Sequence, residues 1–229
     1  MAFAAVLPAA AEAPLTVVEL FTSQGCSSCP PANALIGELA DRGDVLALSH
    51  HVDYWDYLGW RDTLARPSGT ERQRAYARSL GLRYVYTPQV VIQGAYHAPG
   101  SDRREVLDRI ARARPEAPVP VTIARTGDDA MAISIGAGSR AEDAAVWLAL
   151  FDEERATPIA GGENAGRMLR TFNVVRSFTR IGSWNGEAVS ISLPPPSAAF
   201  GEADGCAVIV QAGGSGRVLG AARLILGGN

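Results

Sequence analysis

The chain has 229 residues, of which 47% are hydrophobic and 20% charged, so it can bury a large core as one big domain or as two of ordinary size. Its formal net charge is −3 and its longest basic run is Arg103-Arg104, so it lacks the concentrated positive charge of a nucleic-acid-binding surface and we expect no nucleic-acid partner. No stretch approaches the ~18 apolar residues of a membrane-spanning helix, so we expect no stable membrane insertion.

Residues 1–13 form an apolar N-terminal segment that ends in Ala11-Glu12-Ala13, a small-x-small pattern like a signal peptidase site. No positively charged segment precedes it, so it resembles the back half of a truncated signal peptide. This interpretation predicts a periplasmic or secreted protein. The alternative is an ordinary N-terminal leader.

The next part of the chain, residues 14–117, alternates strand and helix signals and predicts an α/β domain with the order β-α-β-α-β-β-α. Buried strands are indicated by short apolar runs, and helices by polar segments with helical spacing. The predicted strands cover residues 15–21, 45–50, 89–93 and 95–97, and the predicted helices cover residues 29–39, 68–80 and 101–114.

Cys26 and Cys29 follow the first predicted strand, where the chain turns into the first helix. Only a thiolate attacks a disulfide, and a helix N-terminus stabilises a thiolate and lowers the cysteine pKa. Cys26 is therefore the expected catalytic nucleophile. Cys29, about one helical turn further on, is the expected resolving thiol that attacks a mixed disulfide formed at Cys26.

Two prolines after Cys29 locate the start of this helix. Pro30 and Pro31 lack N–H groups, so a helix beginning at Cys26 would lose early hydrogen bonds. A start at Cys29 instead places Pro30 at the favoured first position. We therefore expect Cys26 to lie just ahead of the helix, which leaves the extent of its pKa depression open.

The element order, the Cys-x-x-Cys motif and Thr87-Pro88 ahead of the third strand together resemble the thioredoxin superfamily. In that superfamily the corresponding proline holds a cis peptide bond beside the two sulfurs, and its neighbouring backbone pairs with the bound substrate. The resemblance implies these roles for Pro88 and Thr87. General chemistry agrees in part, because cis bonds are nearly always X-Pro bonds. The alternative is a trans proline that ends a loop.

More narrowly, four motifs spread over about residues 16–180 are similar to a bacterial family of secreted thioredoxin-like proteins, catalogued as a domain of unknown function, DUF1223. The label of this family leaves the substrate open, so the resemblance implies architecture more than activity. The motifs cover residues 18–31, 51–56, 86–89 and 162–167.

Other residues are candidates for a role beside the dithiol. Trp55 belongs to an aromatic run that either forms an apolar wall for a peptide substrate or caps the core beneath a long loop. His51 and Asp53 leave the carboxyl end of the second strand, where α/β sites assemble, and are candidates for proton handling; a core histidine with satisfied nitrogens is the alternative. Glu19, within the first strand, is a third proton-handling candidate, and its pKa should rise if it is buried.

Past a proline-rich connector, residues 118–229 carry a series of short β-like runs separated by turn signals. They predict a smaller, mostly-β domain resembling a sandwich, with no evident nucleophile-base set. The polar segment at 163–167 either shapes the cleft of the first half or is a simple loop. The predicted strands cover residues 121–124, 131–135, 145–151, 174–181, 189–193, 206–211 and 218–226.

The three cysteines leave one outside the pair, and Cys206 lies in an apolar run that predicts a buried, reduced, inert thiol. The favoured function is a thiol-disulfide oxidoreductase that acts on protein or peptide thiols, with an unknown redox partner and no cofactor beyond its own disulfide. One alternative is a Cu(I) or zinc protein using the same cysteines and a nearby histidine. Another is a non-catalytic binding module with a structural Cys26–Cys29 bridge.

Overall fold

The computed structural model describes residues 14–113, 117–126, 130–139, 143–193 and 203–226. The leader predicted at 1–13 lies outside the described residues. Among the described residues, none of the helices combines the length and the apolar character that crossing a membrane requires.

The first half contains the predicted elements in the predicted order, with each boundary within two residues of its predicted position. Helix α1 has Cys29 as its N-cap and Pro30 as its first residue, which confirms the start inferred from the prolines. The strands are β1 Thr16–Thr22, β2 Val45–His51, β3 Gln89–Ile92 and β4 Tyr96–Pro99, and the helices are α1 Pro30–Ala40, α2 Pro67–Ser79 and α3 Arg103–Arg112.

The second half contains the seven predicted strands, but two of them are far longer than their apolar runs. These two strands, of 15 and 17 residues, form a hairpin. Their pairing continues through polar residues towards the hairpin tip, as far as Pro158 and Met168. The strands are β5 Val121–Arg125, β6 Met131–Ile135, β7 Ala144–Pro158, β8 Met168–Trp184, β9 Val189–Leu193, β10 Gly205–Ala212 and β11 Val218–Ile225.

The strands form a mixed sheet of eight strands, in the order β11-β10-β7-β8-β2-β1-β3-β4, and a three-stranded antiparallel sheet, in the order β5-β6-β9. Strand β1 runs parallel to β2 and antiparallel to β3. The two halves join where β8 pairs with β2, through Ser49 and Val174. Strands from both sides of the predicted boundary at 117/118 therefore share one sheet, and the division into two domains stays a prediction.

Side chains of β1 alternate between two packing layers. Val18 and Leu20 point to the layer that contains α1 and α3, whereas Phe21 packs with Tyr76 of α2 on the opposite face. The three-stranded sheet packs against β7 and β10, as in the contact of Ile133 with the cluster around them. The result is a mixed α/β fold in which α1 and α2 cover opposite faces of the large sheet.

Candidate dithiol site

Three loops converge at the carboxyl ends of β1 and β2. The dithiol turn, residues 23–29, joins β1 to α1; the β2 loop, residues 52–66, contains a 3₁₀ turn at Asp56–Leu58; and the hairpin tip, residues 159–167, contains a 3₁₀ turn at Gly162–Asn164. Glycines permit their close approach. A Cβ on Gly161 would lie 2.5 Å from the carbonyl oxygen of Gly59, and a Cβ on Gly25 would lie 3.3 Å from the carbonyl oxygen of Trp55.

Cys26 and Cys29 lie at disulfide distance from each other, with their Cα atoms 5.5 Å apart, within the usual range for a disulfide. Cys26 keeps 5% of its surface exposed, whereas Cys29 is fully buried. The carbonyl oxygen of Cys26 accepts a 3.2 Å hydrogen bond from the Cys29 N–H. The cysteine nearer the strand is therefore the one that keeps contact with solvent, as the sequence predicts for a nucleophile.

The surroundings of Cys26 contain few groups that stabilise a thiolate. Pro30 and Pro31 supply no N–H at the start of α1, and the Cys29 carbonyl accepts the next two helix N–H groups. The Ser28 hydroxyl lies 3.3 Å from the Cys26 sulfur and is placed to donate to it. The helix therefore offers Cys26 less help than a helix without prolines would give.

Gln24 anchors the dithiol turn to the two neighbouring loops and is almost fully buried. Its N–H donates to Asp62 Oδ2 at 2.8 Å, and its side-chain oxygen accepts bonds from the Trp60 indole at 2.9 Å and the Thr63 N–H at 3.2 Å. Its amide group donates to Thr157 Oγ1 of β7 at 3.2 Å. Elements from both halves of the chain thus hold the turn.

The hairpin tip supplies two side chains that bond directly to the dithiol turn. Buried Asn164 donates through Nδ2 to the carbonyl oxygens of Gln24, at 2.9 Å, and Cys26, at 3.0 Å. Exposed Glu163 accepts the Ser27 N–H at 3.2 Å. Hydrogen bonds from the Ser27 side chain and backbone hold the pKa of Glu163 below its ordinary value, so its carboxylate is ionised at neutral pH. Of the two interpretations of this segment, shaping the site is the one that these contacts favour.

The Thr87–Pro88 peptide bond is cis, which confirms the isomer that the resemblance implies. Thr87 Oγ1 accepts a 2.7 Å hydrogen bond from the Trp55 indole N–H. Pro88 lies beside the first turn of α1, because a Cβ on Gly100 would meet Pro88 at 3.1 Å and Ala32 at 2.9 Å. These predicted substrate-binding residues therefore form one surface next to the helix that begins after Cys29.

Exposed aromatic rings border this surface. Tyr57 is 76% exposed and its ring centroid lies 6.1 Å from that of Trp55, and Tyr84 is 71% exposed and lies 6.2 Å from Tyr86. Trp55 itself is half-buried. The aromatic run thus presents rings to solvent and also covers the core, so both interpretations of it hold in part.

Glu19 differs from its prediction. It is fully buried on the α2 face, where Arg72 Nη2 donates to it at 2.8 Å and His50 Nε2 lies 2.9 Å away; Tyr76 also donates to it. Burial alone would raise the pKa of Glu19, but the Arg72 cation and the hydrogen bonds from His50 and Arg72 overcome it and hold the pKa well below its ordinary value. The expected raised pKa is therefore wrong, and an ionised carboxylate on the face away from α1 has no proton to give to the dithiol.

His51 pairs with a carboxylate that the sequence analysis did not single out. Its Nδ1 lies 2.7 Å from Asp62 Oδ2, the same oxygen that accepts the Gln24 N–H, and both side chains are buried. Burial would raise the pKa of Asp62, but His51 and several hydrogen bonds hold it below its ordinary value. His51 Nδ1 is thus paired, and Nε2 has no hydrogen-bond partner within the described residues.

The remaining predicted residues have mainly structural contacts. Asp53 Oδ1 accepts a 2.7 Å bond from Thr70 Oγ1 and so ties the β2 loop to α2. Cys206 is buried and unpaired, as predicted, and burial raises its pKa to about 12. Among the described residues, no group of three or more His, Cys, Asp or Glu side chains is arranged to hold a metal ion.

A groove with a volume of about 930 Å³ runs along α1 from Pro30, which directly follows Cys29. Its other wall is formed by β7, β8 and β11, including Phe172 and Met168, and Met168 is 61% exposed. One end of this groove, whose lining mixes apolar and charged side chains, therefore lies at the residue that follows Cys29.

These elements define a mixed α/β protein with a cysteine pair at disulfide distance at a strand–helix junction. The chain belongs to the family described as "Protein of unknown function (DUF1223)", whose model matches residues 17–211, and the membership predicted from the four motifs is confirmed. Its structure is similar to the X-ray crystal structure of a protein from Agrobacterium tumefaciens, a Northeast Structural Genomics Consortium target, with a TM-score of 0.84 and 38% sequence identity over 95% of this chain and 97% of that chain. Comparison with curated proteins gave no match.

The residues that sequence reasoning missed share one property: their partners are distant in the chain. Asp62 carries no local motif, and its role follows from contacts to Gln24 and His51. Asn164 and Glu163 contact residues more than 130 positions earlier. The polar, glycine-flanked composition of their loop was the one signal in the sequence.

Proposed function

We propose that this protein is a thiol-disulfide oxidoreductase whose first half is a thioredoxin-like domain, acting on protein or peptide thiols through Cys26 and Cys29. The observation that carries the proposal is the asymmetry of the pair: Cys26, ahead of α1, keeps 5% of its surface exposed, and Cys29 is fully buried as the N-cap of that helix. A nucleophile must reach a client protein, whereas a resolving thiol needs only to reach the nucleophile.

The topology supports the thioredoxin-like assignment. Strands β2-β1-β3-β4 lie side by side in that order, with β1 and β2 parallel and the others antiparallel. The dithiol turn joins β1 to α1, and Thr87-Pro88 precedes β3. The second half then adds a sandwich-like packing, since the three-stranded sheet covers β7 and β10.

The reaction transfers two electrons between dithiols. In the reducing direction, the Cys26 thiolate attacks one sulfur of a client disulfide, the client's other sulfur leaves as a thiolate, and a mixed disulfide forms. The Cys29 thiolate then attacks Cys26, which releases the second client thiolate and closes the Cys26–Cys29 disulfide. The reverse sequence oxidises a client dithiol. Either direction needs a redox partner to restore the starting state and no cofactor beyond the disulfide.

The client backbone is proposed to dock at Thr87 and Pro88, with Trp55 and the neighbouring exposed tyrosines as the apolar wall. The bond from the Trp55 indole to Thr87 Oγ1 supports this, because it fixes the wall relative to the docking strand. His51 and Asp53 remain proton-handling candidates. His51 is the stronger of the two, since its buried Nε2 is unpaired within the described residues, whereas Asp53 bonds to α2.

A periplasmic or secreted location fits this chemistry, because disulfides persist in oxidising compartments. The alternatives receive less support. Zinc binding, or Cu(I) binding that includes a histidine, would need a third ligand beside the two sulfurs, and no such cluster is present among the described residues. The other alternative is a non-catalytic module with a structural Cys26–Cys29 bridge. The reduction potential of the pair distinguishes it from an enzyme.

The test compares C26S with C29S, each carried as the full chain in an extract of the producing cell. We expect C29S to accumulate mixed disulfides with clients, because nothing resolves the bond at Cys26, and we expect C26S to trap none. Alkylation and mass measurement identify the adducts. The two variants lose the same bridge and so are matched for stability, and C206S serves as the control that keeps the pair.

A titration of the wild-type chain in glutathione buffers separates the enzyme from the structural module. A catalyst changes state between about −120 and −270 mV, whereas structural disulfides have potentials below about −300 mV. A bridge that stays closed in strongly reducing buffer, together with equal trapping by C26S and C29S, would contradict the proposal.

A further inference from the structure

The hairpin tip places a carboxylate at the dithiol turn, although nothing in the local sequence of that turn requires one. Glu163 Oε2 accepts the Ser27 N–H at 3.2 Å, one residue after Cys26. Asn164, directly after Glu163, is buried and bonds to the carbonyl oxygens of Gln24 and Cys26. The position of Glu163 is therefore fixed by a buried neighbour and not by its own exposed side chain.

We propose that Glu163 is a positioning residue that disfavours the Cys26 thiolate and so holds the Cys26–Cys29 pair towards its disulfide form. This inference rests on the dithiol chemistry proposed above and adds its regulation. It makes the second half of the chain, through the β7–β8 hairpin, a determinant of the reduction potential of the first.

Two effects of Glu163 act in the same direction. Its bond to the Ser27 N–H occupies the backbone donor of the residue next to Cys26, so that donor's polarity is spent on a carboxylate. Its negative charge also repels the thiolate. Destabilising the thiolate destabilises the reduced form, because the potential of a dithiol rises when its reduced form is stabilised.

The other groups around Cys26 offer little compensation. Pro30 and Pro31 remove two N–H donors from the start of α1, which leaves the Ser28 hydroxyl, 3.3 Å from the Cys26 sulfur. The Gln24 N–H and His51, which are a donor and a potential cation, are both engaged by the Asp62 carboxylate. Arg167, the basic residue of the hairpin tip, donates to Asn164 Oδ1 at 3.3 Å.

The test measures the equilibrium with glutathione at pH 8 for wild type, E163Q and E187Q. In this reaction two glutathione thiols reduce the protein disulfide and become glutathione disulfide, so electrons and protons balance. E163Q keeps an oxygen that can accept the Ser27 N–H but loses the charge. Glu187 lies in the turn between β8 and β9 and provides the same charge change at an exposed site outside the hairpin tip.

For E163Q we expect the equilibrium constant to move towards the dithiol by up to about threefold, the size typical of exposed charge pairs, with the full change where the pH exceeds the Cys26 pKa. A threefold change corresponds to about 14 mV at 29.6 mV per tenfold. The Cys26 pKa, read from the pH dependence of alkylation, should fall in parallel. E163D should behave as wild type, and the difference between wild type and E163Q should vanish at about 1 M salt, where the Debye length is about 3 Å.

An unchanged potential and alkylation profile in E163Q would overturn the inference, as would an equal shift in E187Q. If E163Q folds poorly, E163A takes its place and should also move the equilibrium towards the dithiol, since it lacks the Glu163 charge as well. None of these readouts needs a client protein. Failure here leaves mixed-disulfide trapping intact, and failure of trapping leaves the charge effect measurable.

Discussion

Two buried polar clusters lie on opposite faces of the large sheet, and they differ in how completely their hydrogen bonds are satisfied. On the α2 face, the side chains of the Glu19 cluster bond to one another. The cluster comprises Glu19, His50, Arg72, Tyr76 and Gln211. On the other side, His51 and Asp62 meet below the dithiol turn, and His51 Nε2 has no partner among the described residues.

We interpret the fully bonded Glu19 cluster as part of the scaffold and the His51–Asp62 pair as part of the candidate dithiol site. Gln211 belongs to β10, so the Glu19 cluster links the two halves through a saturated network, and Arg72 also stacks 3.9 Å from the Phe178 ring centroid. Saturated buried networks rigidify a fold. An unsatisfied buried nitrogen is costly, and either a bound water or a functional role accounts for it; Gln89 Nε2 is a second such nitrogen within the described residues. The neighbouring positions His50 and His51 thus belong to clusters of different kinds.

Breaking the saturated cluster should have the largest effect. R72M leaves the Glu19 carboxylate buried without its cation, and removing one partner of a buried ion pair costs about 3–5 kcal/mol. We expect urea unfolding to show a loss of stability of this size. R74M, which changes an exposed arginine of the same helix, should stay within about 0.5 kcal/mol of wild type.

The double variant E19Q/R72M tests whether the loss of stability in R72M comes from the uncompensated charge of Glu19. It removes the uncompensated charge along with the cation, so it should recover part of the loss seen in R72M. The glutathione equilibrium of folded R72M should match wild type, because this cluster lies on the face away from α1. A loss below 1 kcal/mol in R72M, or a large shift of its dithiol equilibrium, would contradict the division between scaffold and site.

The second prediction concerns the His51–Asp62 pair. The pKa of Asp62 is lowered in the folded protein, so its contribution to stability is present at pH values above the unfolded pKa of about 4 and is lost as the pH falls through the lowered folded pKa. Asp62 accepts three backbone N–H bonds as well as pairing with His51. At pH 7, D62N should therefore cost about 1.5–3 kcal/mol, the value of hydrogen bonds to a charged group.

The pH dependence of the free energy of unfolding shows whether the charge of Asp62 causes the loss of stability in D62N. The stability difference between wild type and D62N should narrow as the pH falls from 7 towards 2, because the wild-type carboxyl takes up a proton and the amide does not. Urea unfolding over that pH range measures it. A difference that stays constant over the range would mean that the loss comes from packing and not from the charge of Asp62.

Sequence reasoning succeeded where the causes are local. The apolar run of β1 and the prolines after Cys29 set the first strand and the start of α1, and both lie within a few residues of what they determine. The cis isomer of Thr87-Pro88 was instead implied by the family resemblance, with only partial support from local chemistry. The family membership followed from four short motifs and is confirmed.

Prediction from the sequence failed where a partner distant in the chain determines the pKa or the contacts of a residue. The pKa of Glu19 goes down because Arg72 lies 53 residues away in sequence and adjacent in space. The β7–β8 hairpin extends beyond its apolar runs because pairing, such as Asp152 with Val174, continues through polar residues. Asn164 and Cys26 are 138 residues apart in the sequence, and no local sequence pattern predicts a contact over such a separation.

The smallest expected effect concerns Ser28, a side-chain donor beside Cys26. Ser28 Oγ lies 3.3 Å from the Cys26 sulfur, and S28A removes the hydrogen bond that it can donate to the thiolate. We expect the rate of Cys26 alkylation in the reduced protein at pH 7 to fall about threefold, consistent with the loss of one partly buried hydrogen bond. S190A, an exposed serine of β9, is the control.

S28A and E163Q should act in opposite directions on the same thiolate, because one removes a stabilising donor and the other removes a destabilising charge. If the two effects are independent, the double variant S28A/E163Q should alkylate at nearly the wild-type rate. A double variant that is as slow as S28A alone would show that Glu163 acts only through the Ser28 hydroxyl. A double variant as fast as E163Q would show that Ser28 makes no contribution to the reactivity of Cys26.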